Sequence, residues 1–187
     1  QPQIKGKVSL EEAIAKRRSQ RTFSKNDLSL EQIGQLLWAA QGITDEGRGL
    51  RAVPSAGALC PLEIYLVSKD GLFHYLPDGH RLEVLGESDL REPLRSAGLG
   101  QGSIAQAPVD IVICAVYSRV SAKYGERGIL YTQIEAGHAA QNIHLEAVVL
   151  GLGSVPIGAF NDEEVKKGLS LPVDCRPLYI IPVGYPD

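Results

Sequence analysis

Four basic side chains fall within six residues near the start of the chain: Lys16, Arg17, Arg18 and Arg21. Guanidinium groups fork onto phosphate oxygens, and the Ser19 hydroxyl between them adds a further donor. One reading is therefore a phosphate clamp. The other is a solvated helix end, because basic residues in a last turn complement the helix dipole. Two later segments are rich in residues that let a ligand approach the backbone. The first is Pro54, Ser55, Ala56, Gly57 and Ala58; the second runs from 151 to 160 and includes Pro156, Ile157 and Gly158. The second lacks GxGxxG spacing and follows a helical pattern instead of a strand, so it is no dinucleotide fingerprint. Its main-chain N–H groups suit a flat heterocycle instead. Lys123 and Tyr124 read as a polar surface pair. His138 and His144 are six apart and do not share a helical face, and HExxH is absent, so no metal site is expected. Glu135 and His138 are three apart, share a face and are expected to pack or cap together. No Ser-His-Asp or Cys-His arrangement follows from spacing.

The elements that must position these residues are legible in outline. Ser9 to Glu12 has capping-box form and predicts a short helix to about Arg18. Ser29 to Gln32 repeats it, with Ile33, Leu36, Leu37 and Ala40 on one face and Gly42 as the cap. Residues 42–53 hold three glycines among charges and read as a mobile loop. Three strands are expected at 62–68, 71–77 and 80–86, with turn signals between them, forming an antiparallel meander. A short helix at 88–98 precedes the apolar run 109–117, which reads as a buried central strand. The longest helical pattern spans about Thr132 to Leu150 and is apolar nearly all round, so it should be buried on more than one side, within the domain or at a subunit interface. A short extended piece, a helix at 161–169 and a strand at 178–184 close the chain. Pro182 suits an edge or strand end. Helices and strands mix without a βαβ rhythm, which predicts an α+β fold in a single domain, 1–187.

Composition narrows the function. The 187 residues are 44% hydrophobic and 22% charged, ordinary for a soluble globular protein. No run reaches the roughly 18 apolar residues needed to cross a bilayer. Net charge is −3, yet residues 16–25 alone carry +5, which leaves −8 for the rest. An acidic body repels a polyanion, so a local site for one small anion is expected over a nucleic-acid surface. Cys60, Cys114 and Cys175 are odd in number and widely spaced, which predicts free thiols and a cytoplasmic setting. The chain opens on Gln and has no Met, the pattern of a trimmed or processed product.

In order along the chain, RRSQRTF, PSAGALCPLEIY, EAGHAAQNIHLEAVVLGLGSVPIGAF and PVGYP resemble the nitroreductase superfamily of FMN-dependent oxidoreductases. The resemblance covers about residues 9–186. Within the superfamily it is greatest to the branch named after azoline (thiazole/oxazole) dehydrogenases of peptide tailoring. It implies a central antiparallel-rich sheet flanked by helices and a homodimer with FMN at the interface, where a long apolar helix would pack. Arg17, Arg18, Ser19 and Arg21 would then bind the FMN phosphate, ribityl chain and pyrimidine edge. Pro54, Ser55 and Ala56 would lie against FMN from the partner chain. Pro156, Ile157 and Gly158 would face the isoalloxazine, with backbone N–H near N5. Lys123 and Tyr124 match a Lys-Tyr pair that azoline dehydrogenases use near the flavin, and are the catalytic candidates. Two departures stand out: Ala58 replaces an Asn common in relatives, and no basic residue lies between Leu178 and Asp187. The implied activity is electron transfer from NADH or NADPH through FMN to a small organic acceptor such as a nitro compound or quinone. The alternatives are an azoline dehydrogenase, or a flavin-binding protein without nicotinamide turnover.

Overall fold

The computed structural model describes all 187 residues. Two capped helices lead in. In α1 (Leu10–Lys16), Ser9 accepts the Glu12 amide, while the Glu12 side chain pairs with Lys16 instead of completing the box. In α2 (Leu30–Gln41) both halves of the Ser29–Gln32 box are made, and the Gly42 amide closes the other end on Trp38. Residues 42–53 are not a mobile loop. β1 (Ile43–Asp45) and β2 (Leu50–Arg51) form a small antiparallel hairpin, closed where Asp45 takes both the Arg48 amide and its guanidinium.

The main sheet follows: β3 (Leu62–Ser68), β4 (Gly71–Leu76) and β5 (Arg81–Gly86) as the meander, then β6 (Val109–Val116), β7 (Gly153–Ser154) and β8 (Cys175–Gly184). The spatial order is β5-β4-β3-β6-β8-β7, with every pairing antiparallel. Every residue of β6 is buried because helices cover both faces of the sheet. Ile64, Leu66, Ile111, Ile113 and Ile181 point to one face, against α2 and the long helix α6 (Arg127–Val149). Tyr65, Val67, Val112, Cys114 and Ile180 point to the other, against α3 (Arg91–Ala97), α4 (Gly102–Gln106) and α7 (Asp162–Gly168). A run without visible alternation is therefore two alternating sets, each with its own core.

Three further expectations need correction. Pro182 does not mark an edge strand, since β8 lies between β6 and β7. Its carbonyl accepts the Val155 amide at 3.3 Å, on the side where β7 pairs only with residues 183 and 184. The missing N–H thus faces a gap in the ladder. The long helix starts at Arg127, five residues earlier than its pattern suggests; within one chain its Leu130 and Ile134 are 41% and 47% exposed. Lastly, Glu135 and His138 do not form a pair. Glu135 is buried and His138 exposed, because the edge of the covered stripe passes between them.

Candidate functional site

The basic segment leaves α1 at Arg17, its C-cap, and runs extended beside β7. Ser19 bridges Ser154 in parallel, and the Gln20 amide donates to the Ser154 carbonyl at 3.0 Å. Further on, the Ser24 amide donates to Tyr185 and Phe23 bridges Pro186. Residues 17–24 are thus a strap laid on the sheet end. The approach is close: a Cβ at Gly153 would lie 2.7 Å from Gln20 Cβ, so only glycine fits there. Both readings of the cluster are realised, by different residues. Lys16 pairs with Glu12 at 2.6 Å, and Arg18 Nη1 donates to the Ala15 and Arg17 carbonyls, a helix-end role. Arg17 and Arg21 make no ion pair, so their positive charge is unspent.

Beneath the strap lies His144, on α6 and 5% exposed. Its Nδ1 is 2.7 Å from Ser154 Oγ, and its Nε2 has no partner. Burial, with the Arg17 charge second, lowers its pKa to about 4, so the ring is neutral at pH 7. The structure therefore brings Arg17, Arg18, Ser19 and Arg21 together with the 153–158 segment. In that segment Pro156 has no N–H, and the Ile157 amide is spent on Ile180 at 2.9 Å with its side chain buried. Of the three residues expected to face a heterocycle, Gly158 alone offers a free, exposed N–H.

Pro54, Ser55 and Ala56 lie elsewhere, beside the N-terminal half of α6. Ser55 Oγ accepts the Cys60 amide at 2.9 Å, tying a turn in which Gly57, Ala58 and Cys60 all have left-handed φ, of 62°, 55° and 44°. Two of these are not glycine, so the turn is strained. Over it stand Lys123 and Tyr124, the last two residues of α5 (Ser118–Tyr124). A Cβ at Gly57 would lie 2.9 Å from Tyr124 Oη and 3.3 Å from Lys123 Nζ. The Lys-Tyr pair and the small-residue segment 54–58, with Gly57 and Lys123 66 residues apart, thus share one spot. Behind it, Glu135 and Gln41 are 2% and 1% exposed, with all four terminal polar atoms unpartnered. Glu135 and His144 are nine residues apart on α6, about 13 Å along its axis. Within one chain the two clusters therefore lie apart, beside opposite halves of the helix.

Other concavities carry less. A groove of about 1180 Å³ lies between the N-terminal segment, α2, the β4–β5 turn and the end of α6, and contains no expected site residue. A cleft of about 330 Å³ on the other face holds Glu63, His74, Glu83 and Arg119. His74 Nε2 is 2.8 Å from Glu63, whose other oxygen takes Arg119, so these charges satisfy one another. The hydrogen bond to Glu63 raises the His74 pKa. No group of three or more His, Cys, Asp or Glu side chains is placed to hold a metal ion. No helix is long and apolar enough to cross a membrane.

A six-stranded antiparallel sheet with helices on both faces and a basic strap at its end is the nitroreductase-like α+β fold. A crystal structure from Ralstonia eutropha, provisionally named a nitroreductase, superposes with a TM-score of 0.90 at 28% identity, covering 100% of this chain and 87% of that one. The nitroreductase family profile matches residues 14–185, and the chain belongs to that family of oxidoreductases. A Methanocaldococcus jannaschii protein, also provisionally named a nitroreductase, is 41% identical over 183 residues, covering 95% of this chain and 91% of its own. The Escherichia coli Microcin B17-processing protein McbC is 30% identical over 158 residues; the match covers 79% of this chain and 58% of McbC.

Proposed function

We propose that the chain is an FMN-dependent oxidoreductase, a single domain of residues 1–187 acting as a homodimer. NADH or NADPH is the donor and a small organic acceptor, nitro- or quinone-like, takes the electrons. The observation that carries this reading is the strap: Ser19 and Gln20 stitch it to Ser154, and Arg17 and Arg21 on either side of them have no carboxylate partner. FMN, when bound, supplies reversible hydride transfer. Arg17, Arg18 and Ser19 hold its phosphate and ribityl chain, and Arg21 reaches the pyrimidine edge. Pro156, Ile157 and Gly158 lie against the ring, with the Gly158 N–H donating near N5. The half-site formed by Pro54, Ser55 and Ala56 of the partner subunit completes the pocket, because within one chain it lies at the far end of α6. Leu130 and Ile134 on the uncovered face of α6 supply apolar surface for that pairing. Three free cysteines fit a cytoplasmic location.

The test is an absorbance spectrum of purified protein, followed by anaerobic titration with NADH and NADPH. The expected result is a flavin envelope that bleaches with one or both. Colourless protein that also ignores added FMN would refute the reading. Bound flavin that neither nucleotide reduces points to a flavin-binding protein without nicotinamide turnover.

The placement of Lys123 and Tyr124 over the strained turn favours a second reading, azoline oxidation in peptide tailoring. There a ring gives up two electrons and two protons to FMN, and oxygen reoxidises the flavin. In this case Lys123→Ala abolishes azoline oxidation with FMN still bound; unchanged turnover in that variant excludes it.

A further inference from the structure

We propose that Glu135 is a positioning residue that latches the 55–60 turn through the Ser55 hydroxyl, and through the turn seats Lys123 and Tyr124. Five buried polar atoms from three residues meet behind the turn without a hydrogen-bond partner: both carboxyl oxygens of Glu135, both amide atoms of Gln41, and Arg51 Nε. Such groups are costly unless something satisfies them. Ser55 and Gln41 face the carboxyl, with the Arg51 charge nearby. Arg51 is partly committed already, with Nη1 donating to the Gln41 carbonyl at 3.2 Å. Ser55 Oγ is spent as an acceptor on the Cys60 amide, so its remaining capacity is its proton. The carboxyl beside it is the group placed to accept a hydrogen bond from that hydroxyl.

The latch has a reason to exist. Two non-glycine residues in left-handed conformation do not hold themselves there, so the surrounding structure must determine them. The covalent turn is tied at one point by Ser55, and Ser55 is anchored to the helix by Glu135. Gly57, at the tip, is the surface against which Tyr124 Oη and Lys123 Nζ rest. Without the anchor the turn relaxes, and the pair above it loses its seat.

Cys60 gives a readout that needs no cofactor. It is the partly exposed cysteine, whereas Cys114 and Cys175 are buried. Glu135→Leu should raise the alkylation rate of Cys60 roughly tenfold, the worth of one lost hydrogen bond near 1.4 kcal/mol. Ser55→Ala, which also removes the bond to the Cys60 amide, should accelerate it at least as much, and the double variant no more than Ser55→Ala alone, because Glu135 acts only through Ser55. Glu135→Gln, which can still accept from Ser55, should behave as wild type. In catalysis, which rests on the flavin reading above, Glu135→Leu should lower kcat for the Lys123-dependent step and Glu135→Gln should restore it. Unchanged Cys60 reactivity in Glu135→Leu, or additive effects with Ser55→Ala, overturns the proposal. Should Glu135→Leu not fold, Glu135→Ala alone and in the Ser55→Ala background decides: acceleration in the first and no further acceleration in the second supports the latch, and none in the first, or the same added effect in both, overturns it. If the wild type binds no FMN, the flavin reading falls while the Cys60 comparison still stands.

Discussion

His144 should make the protein sensitive to mild acid. It is 5% exposed, and its pKa is lowered from 6.5 to about 4, first by burial and then by Arg17. The native state therefore binds fewer protons than the unfolded state between those two values. Stability from this group is fully present above pH 6.5 and is lost as pH falls towards 4. The loss reaches about 2 kcal/mol by pH 5 and about 3 kcal/mol by pH 4, taking 1.36 kcal/mol per unit. Other groups titrate in the same range, so the measurement must be a difference. His144→Asn suits it, because an amide nitrogen or oxygen can stand near Nδ1 and keep Ser154 while removing the titration. Urea unfolding of both proteins can be followed by the fluorescence of Trp38, the sole tryptophan. The variant is expected to be less stable at pH 7 but to gain on wild type by about 3 kcal/mol between pH 7 and pH 4. Parallel stability curves across that range would mean that His144 is wet or charged in the native state, and the account of the strap's underside would fail.

Two further outcomes follow from the strap. Arg17→Ala should weaken FMN retention by roughly ten- to a hundredfold, the worth of a charge-assisted hydrogen bond, measured by flavin fluorescence titration. Full retention would mean that Arg17 is only part of a helix end. Gly153→Ala forces a Cβ to 2.7 Å from Gln20 Cβ and should cost about 1–3 kcal/mol, seen calorimetrically as a Tm lower by several degrees. Gln20→Gly in the same background should recover part of that loss, and an unchanged Tm in the single variant would show that the strap does not sit this close.

The elements that follow strong local rules were legible from the chain. Both cap signatures start helices where they stand, and the 62–86 meander has its turns where Lys-Asp-Gly and Pro-Asp-Gly fall. The β1–β2 hairpin was not, because strands of three and two residues are too short to show a period, and its half-buried Ile43 and Leu50 lie among charges. Glu135 and His138 have the spacing of a pair, but spacing cannot say where the covered stripe ends. At the site, local composition exposed the basic cluster and the small residues of the other two segments. It could not expose the contact between Gly57 and the Lys123-Tyr124 pair, which exists only through tertiary packing. Nor could it reveal Gln41 and Glu135, since a polar residue in a helix is normally read as solvated. The surrounding apolar Ala136, Ala139 and Ala140 were the available signal that this face of α6 is covered.

The strap also settles how the sheet ends. β7, continued by Val155 and Ile157, partners β8 from Ile180 to Gly184, and its own outer side is the kind of open border on which foreign chains can dock. Ser19 to Ser24 lies across that border, and Phe23 and Ser24 fasten the C-terminal residues Tyr185 and Pro186 to it. At the opposite border β5 shows Arg81 and Glu83 to solvent, a charged fence. One border is thus guarded by charge and the other by the segment that carries the unspent arginines. Changes that loosen the strap would expose β7 for strand addition, so colloidal behaviour depends on the same segment that carries the two arginines.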